Sequence, residues 1–218
     1  MIKACIFDLD GVIVDTAKYH FLAWRRLANE LGFDFSKKDN EKLKGVSREE
    51  SLNLILQWGG VEKTTTEKTE LTELKNEWYL EYIHEMTPAE ILDGVLPFLK
   101  RLKIMGVGTA LGSASKNART IIRQVGVAPF FDAIIDGTNT TRTKPDPQVF
   151  ELAAEALGVP PQQAIVFEDA EKGIQAALNG GFHAVGIGET DVLKAAHLVI
   201  PDFKNTTFED IVKAVLTE

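Results

Sequence analysis

Short apolar runs that alternate with longer helical segments are the dominant pattern of this sequence. The runs are Ile2–Phe7, Val107–Leu111, Ala133–Ile135, Ala164–Phe167, His183–Ile187 and, more weakly, Leu198–Ile200. Such alternation is typical of parallel strands joined by crossover helices, because parallel neighbours cannot be connected by a tight turn. The pattern therefore predicts an α/β fold whose core is a Rossmann-like, doubly wound parallel sheet.

The strand signal disappears between Ala17 and Met86, where the sequence instead has helical periodicity. Two segments carry it, "SREESLNLILQWGG" and "TELTELKNEWYLEYIHEM". A stretch of about 70 residues is too long for a simple crossover connection. The sequence thus predicts an α-helical cap domain, residues 17–87, inserted into a catalytic core formed by residues 1–16 and 88–218.

Composition and charge restrict the partners and the compartment. The 218 residues carry a formal net charge of −8 at pH 7, which argues against nucleic acid or an anionic membrane as a partner. The single cysteine, Cys5, suits a reducing compartment. We see no signal peptide, and no uncharged run approaches the roughly 18 residues of a membrane span. We expect a cytoplasmic monomer that acts on small molecules.

Polar side chains follow four of the apolar runs. In chain order they are Asp8 with Asp10, the segment Ser113–Asn117, Lys144, and Glu168 with Asp169. Open parallel sheets bind their ligands at the carboxyl ends of the strands. Because four separate groups fall at this position, we expect them to form one site.

The residue types in this set suit phosphoryl transfer. Asp8, Glu168 and Asp169 would repel one another at a shared sheet edge, and Mg²⁺, which prefers oxygen ligands, would relieve that repulsion. Asp8 and Asp10 leave the same face of an extended chain, which suits a nucleophile beside a proton donor and acceptor. Ser113 can donate its hydroxyl to a phosphoryl oxygen, and Lys144 can supply a neutralising cation. Each residue alone is more often structural, so the prediction rests on the set.

The four segments "DLDGVIVDT", "GSAS", "TKPDP" and "FEDAEKG" resemble the successive motifs of the haloacid dehalogenase superfamily of phosphotransferases. The resemblance covers nearly the whole chain, with the helical insert at the usual position of a cap. It implies that Asp8 is the nucleophile that forms an aspartyl phosphate and that Asp10 is the general acid and base. It also implies Mg²⁺ on Asp8, the Asp10 carbonyl, Glu168 and Asp169. Gly112 departs from the family pattern, which has alanine there.

The segments "EKLKGVSREES", "DTAKYHFLAW" and "SASKN" further resemble the sugar-phosphate mutases of this superfamily. This resemblance implies that Ser113, the Ala114 backbone N–H and Lys144 hold the transferring phosphoryl group. Thr16 and His20 would be catalytic, with His20 coupling cap closure to Asp10. The residues implied in binding the rest of the substrate are Trp24, Lys44, Gly45, Val46, Ser47 and Arg48 from the insert, and Ser115, Lys116 and Asn117 from the core.

Two questions remain open from the sequence, namely the role of Arg48 and the function of the chain. Arg48 suits a bidentate grip on a second phosphate, but Ser47 and Glu50 also form a candidate capping box at a helix start. The resemblance implies Mg²⁺-dependent interconversion of β-D-glucose 1-phosphate and glucose 6-phosphate through an aspartyl phosphate and a glucose 1,6-bisphosphate. A sugar-phosphate phosphatase, with water as acceptor, is the alternative function. A non-catalytic phosphosugar-binding protein is a third.

Overall fold

The computed structural model describes residues 1–43 and 46–217. The chain divides into a sheet unit, Met1–Asp15 with Thr87–Glu218, and a helical unit, Thr16–Met86. Each boundary falls one residue before the position expected from the sequence. The role of the helical unit as a cap stays a prediction.

Six strands in the described part of the sheet unit form one parallel sheet with the order β3-β2-β1-β4-β5-β6. The strands are β1 (Ala4–Phe7), β2 (Gly108–Gly112), β3 (Ala133–Ile135), β4 (Ala164–Glu168), β5 (His183–Ile187) and β6 (Leu198–Ile200). This order confirms the predicted doubly wound fold. The winding direction reverses between β1 and β4, so the topological switch point lies at the carboxyl ends of these two strands.

Two strands extend further than their apolar runs. The register pairs Gly112 of β2 with Ile135 of β3, and Glu168 of β4 with Gly186 of β5. Glu168 is therefore the last residue of a strand, whereas the sequence placed it just after the strand. The ladder pairing thereby fixes the backbone of one predicted metal ligand.

Each of the two units contains its own set of helices. In the helical unit they are α1 (Ala17–Glu30), α2 (Lys37–Glu41), α3 (Arg48–Gly59) and α4 (Thr65–His84). In the sheet unit they are α5 (Val95–Met105), α6 (Ala118–Gln124), α7 (Gln148–Leu157), α8 (Glu171–Asn179) and α9 (Phe208–Val215). The two helical segments predicted for the insert are confirmed as α3 and α4. Across residues 1–43 and 46–217, no helix combines the length and apolarity needed to cross a bilayer.

A cluster of phenylalanines packs against one face of the sheet below the switch point. Phe7 of β1 stacks on Phe167 of β4, with ring centroids 4.8 Å apart and an interplanar angle of 10°. Phe98 of α5 meets both rings edge-on, at 6.3 and 5.7 Å. Phe7 and Phe167 immediately precede Asp8 and Glu168, so this packing holds the ends of the two strands in register.

The opposite face of the sheet is covered by α7 and α8. Alternate residues of β1, Ala4 and Ile6, point into this second core, as the two-residue period of a strand requires. Phe150 and Ala153 of α7 are fully buried in it. Both faces of the central strands are therefore dry, which explains why their sequences are continuous apolar runs.

Phe98→Ala tests the contribution of the phenylalanine cluster to stability. We expect the free energy of unfolding to fall by about 3–5 kcal/mol, because the change opens a cavity between packed rings. Ile104→Ala, on the same helix but at a residue that is 79% exposed, should change it by less than about 0.5 kcal/mol. Urea denaturation followed by circular dichroism measures both. Equal losses would contradict the assignment of the cluster as core.

Candidate active site

Asp8 and Glu168 lie at the topological switch point, and Lys144 bridges them. The Asp8 N–H donates to the Phe167 carbonyl at 3.0 Å, which fixes the first residue beyond β1 against β4. Lys144 Nζ donates to Asp8 Oδ1 at 2.6 Å and also to Glu168 Oε1. All three side chains are buried. The structure thus brings together three residues that the sequence assigned to one site.

The carboxylates of Asp8, Glu168 and Asp169 form a compact cluster, with one oxygen of each within 4.8 Å of the others. Two glycines permit this arrangement. A Cβ at Gly173 would overlap the carboxyl group of Glu168, and a Cβ at Gly11 would overlap that of Asp169. The acids are therefore packed directly on backbone that carries no side chain. An all-oxygen donor set of this kind is the type that hard divalent cations prefer.

The cluster contains more carboxylates than ammonium groups, so its net charge is negative. Burial alone would lower the pKa of Lys144, but the charges and hydrogen bonds of Asp8 and Glu168 outweigh it and hold that pKa above its ordinary value. Burial raises the pKa of Glu168, and the neighbouring charge of Asp8 raises it further against the opposing effect of Lys144. One ammonium does not neutralise three carboxylates, so the cluster fits a second cation.

The two carboxylate oxygens of Asp8 have different partners. Oδ1 accepts from Lys144, whereas Oδ2 accepts from the backbone N–H of Asp10 at 3.0 Å. Gly11 has φ = 76°, a left-handed value that turns the chain sharply just after Asp10. The hydrogen bond from the Asp10 N–H to the Asp8 side chain is a local Asx-type contact, and the turn at Gly11 follows it directly.

The loop after β2 carries the second motif beside Asp8. Phe7 pairs with Leu111, so Ser113 lies one residue beyond the position level with Asp8. The Ser113 N–H donates to the Ile135 carbonyl at 3.0 Å, and its Oγ accepts from the Ser115 N–H at 3.1 Å. In this loop Ser113 is buried, Lys116 is exposed, and Ala114, Ser115 and Asn117 lie between these extremes.

Gly112, the departure from the family pattern, lies against the second core. A Cβ at this position would lie 3.0 Å from Phe150 Cδ1 and 3.2 Å from Ile6 Cγ2, closer than side chains normally approach. Glycine therefore leaves room for the ring of Phe150. The carbonyl of Gly112 also accepts from Lys144 Nζ at 3.5 Å.

In the helical unit, His20 is joined to a residue that sequence reasoning missed. Lys75 Nζ donates to His20 Nδ1 at 3.1 Å and lies 4.5 Å from the ring centroids of Trp24 and Tyr79. Lys75 is only 2% exposed. The available signal was its position three residues after Thr72 and four before Tyr79, on the buried stripe of α4.

This contact sets the charge and tautomer of His20. Burial, then the positive charges of Lys75 and Arg48, lower the pKa of His20 well below its usual value. An ammonium can only donate, so Nδ1 accepts and the proton of neutral His20 is assigned to Nε2. His20 can therefore donate a hydrogen bond through Nε2 at neutral pH.

The other predicted site residues that lie in the helical unit differ in burial and contacts. Thr16 is buried, and its carbonyl accepts from the N–H groups of Tyr19 and His20 at 2.9 and 3.1 Å. Ser47 caps α3 by accepting from the Glu50 N–H at 3.3 Å, which is one half of the predicted capping box. Val46, Ser47 and Arg48 are partly exposed, and Trp24 is a core residue. The predictions for Lys44 and Gly45 lie outside the described residues.

A doubly wound sheet with a lysine-bridged carboxylate cluster at its switch point defines a class of phosphotransferase-like hydrolases. A profile of the haloacid dehalogenase-like hydrolases matches residues 2–181, and the chain belongs to this family.

Individual relatives are closely similar. The chain is 44% identical over 209 residues to the β-phosphoglucomutase of Bacillus subtilis, covering 95% of this chain and 92% of that protein. It is 32% identical over 186 residues to a fructose-1-phosphate phosphatase of Escherichia coli, covering 84% of this chain and 94% of that protein. The crystal structure of a β-phosphoglucomutase from Clostridium difficile matches with a TM-score of 0.95 and 41% identity, covering 100% of this chain and 98% of that one.

Lys144→Met tests the charge balance of the cluster. In the presence of a chelator we expect the free energy of unfolding at pH 7 to fall by about 3–5 kcal/mol, because two buried carboxylates lose their cation. The loss should shrink as the pH is lowered toward about 5. The raised pKa of Glu168 means that this carboxyl group binds a proton more tightly in the folded state, so acid relieves the cost of losing Lys144. Urea denaturation at several pH values measures the effect.

Lys103→Met is the matched control, since Lys103 pairs with Asp132 at a position where both side chains are more than two-fifths exposed. Its effect should stay within about 1 kcal/mol. A Lys144→Met loss that is the same at every pH would contradict the proposed imbalance of charge.

Proposed function

We propose that this chain interconverts β-D-glucose 1-phosphate and glucose 6-phosphate through an aspartyl phosphate on Asp8 and a β-glucose 1,6-bisphosphate intermediate. The observation that carries the proposal is the buried Asp8–Lys144–Glu168 cluster at the switch point. Its support from comparison is the 44% identity to the Bacillus subtilis β-phosphoglucomutase over nearly the whole chain. A binding protein would have no need of a nucleophile held beside a proton donor.

In the first half-reaction, a carboxylate oxygen of Asp8 forms a bond to phosphorus and the bond from phosphorus to the donor oxygen breaks. Lys144, already hydrogen-bonded to Asp8, neutralises charge on the phosphoryl oxygens, and Ser113 donates to one of them. Asp10 gives a proton to the leaving oxygen. In the second half-reaction, Asp10 takes the proton of the sugar hydroxyl that attacks the aspartyl phosphate.

Mg²⁺ fits the carboxylate cluster, because the donor set is all oxygen and its negative charge exceeds that of Lys144. Asp8, Glu168 and Asp169 would hold the ion, with the carbonyl of Asp10 added by family resemblance. When bound, Mg²⁺ would supply further neutralisation of the phosphoryl oxygens.

Transfer to a sugar rather than to water needs a second phosphate site. The family resemblance implies that Arg48, Ser115, Lys116 and Asn117 would hold this second phosphate. The bisphosphate must turn end for end, so each of its phosphates occupies each site in turn. Exclusion of water by the helical unit stays a prediction, as do the monomeric state and the cytoplasmic location.

The deciding experiment supplies β-glucose 1-phosphate, Mg²⁺ and a trace of the bisphosphate, and measures glucose 6-phosphate and free phosphate separately. We expect isomer without stoichiometric phosphate. Asp8→Asn should abolish turnover by removing the nucleophile, whereas Asp15→Asn, a matched change at an exposed acid of the same motif, should retain it.

Phosphate release without isomer would favour the phosphatase alternative. The similarity to the fructose-1-phosphate phosphatase of Escherichia coli is the specific observation on its side. Neither product, with several sugar phosphates tested, would favour a non-catalytic phosphosugar-binding protein.

Arg48→Ala tests the second phosphate site. We expect mutase turnover to fall by at least about 100-fold, since a desolvated bidentate contact is lost, while phosphorylation of Asp8 by the bisphosphate is partly retained. Arg25→Ala, which removes a surface ion pair with Asp34 on the same unit, should leave both rates within about twofold. Single-turnover labelling of Asp8 separates the two steps. Equal loss of both would refute the assignment of Arg48.

A further inference from the structure

Lys144 has a third kind of partner besides its carboxylates and the Gly112 carbonyl. Its Nζ lies 4.7 Å from the centroid of the Phe150 ring, in the first turn of α7. Phe150 is fully buried, and the Lys144 ammonium lies over its ring. An ammonium held against a ring face in a dry site is attracted by the negative face of the ring.

The Phe150 ring is unchanged during the proposed reaction, whereas the carboxylate of Asp8 is converted to an acyl phosphate. When Asp8 becomes an acyl phosphate, its carboxylate charge is lost and the negative charge beside Lys144 lies on the phosphoryl oxygens, so the ammonium must change hydrogen-bond partners while it stays in place. The face of Phe150 keeps its attraction throughout, because the ring takes no part in the chemistry. It can therefore hold Lys144 in place while its hydrogen-bond partners change.

The position of the ring is itself tightly determined. Phe150 packs against Gly112, where even a methyl group would approach its Cδ1 to 3.0 Å. On another side it meets Phe182 edge-on, with centroids 6.3 Å apart and an interplanar angle of 72°. Because interiors are close-packed, these contacts restrict where the ring can move.

We propose that Phe150 is a positioning residue for phosphoryl transfer, which holds the Lys144 ammonium beside Asp8 through its ring face. This inference rests on the proposed function, since it assumes that Asp8 is phosphorylated. It assigns to an apolar core residue an effect on the chemical step that is separate from its effect on stability.

The kinetic test compares Phe150→Leu with Phe182→Leu, the same change at a neighbouring ring of the same core. Both variants should lose stability. We expect Phe150→Leu to lower kcat for phosphorylation of Asp8 by about 10-fold with KM within about twofold, because an interaction needed in the transition state is weakened. Phe182→Leu should keep kcat within about twofold. Phe150→Tyr, which retains the ring face, should recover most of the rate lost in Phe150→Leu.

A spectroscopic test needs no turnover. The buried ammonium of Lys144 should give a proton–nitrogen correlation, assigned by its loss in Lys144→Met, with protons shifted upfield by the ring current of Phe150. The shift should persist in Phe182→Leu and disappear in Phe150→Leu. Its persistence in Phe150→Leu, or kcat values that fall equally in the two leucine variants, would overturn the inference.

The design separates this inference from the proposed function. Wild-type protein that is not phosphorylated on Asp8 would overturn the proposed function and the inference with it. Wild-type protein that is phosphorylated, with Phe150→Leu as active as Phe182→Leu, would overturn the inference alone.

Discussion

A single buried ammonium connects the parts of the chain on which this site depends. Lys144 follows the third strand in sequence, yet its Nζ reaches Asp8 after β1 and Glu168 at the end of β4. Burying these charges is costly unless each is paired. The pairing is possible because Phe7 and Phe167, one residue earlier in each strand, stack and hold the two strand ends level. The geometry of the charged site therefore depends on the packing of the phenylalanines below it.

Much of this arrangement could be predicted from the sequence, because strand ends in a parallel sheet share one edge. Asp8, Lys144 and Glu168 each follow or end an apolar run, and that rule alone brought them together. Helices α3 and α4 of the insert were similarly predictable from their periodicity. Contacts and charge effects between side chains that are distant in the sequence could not be predicted in this way. Lys75 occupies a buried stripe beside two rings and His20, and helical spacing alone does not show that a lysine there is desolvated.

Gly112 is a second residue whose role could not be predicted from the sequence. As a motif position it is only a departure from the family pattern, and periodicity offers no reason for it. On β2 it faces Phe150 of α7, whose ring occupies the space a methyl group would need. Gly11 and Gly173 have a comparable relation to Asp169 and Glu168. A small residue beside a catalytic motif is thus explained by the group that packs on it, which sequence order does not reveal.

The carboxylate cluster of the sheet unit and His20 of the helical unit have different electrostatic surroundings. In the sheet unit, carboxylates outnumber the ammonium, so the cluster favours an added cation and, with it, the anionic oxygens of a phosphoryl group. In the helical unit, burial lowers the pKa of His20, and the positive charges of Lys75 and Arg48 lower it further, so cations rather than carboxylates dominate the surroundings of this ring. A bisphosphate carries negative charge at both ends. A chain that must hold one end for reaction and the other for orientation needs positive potential in two places, and only the reacting end needs a nucleophile. Under the proposed function, Lys144 with the added cation serves the reacting end, and Arg48 is the candidate for the other.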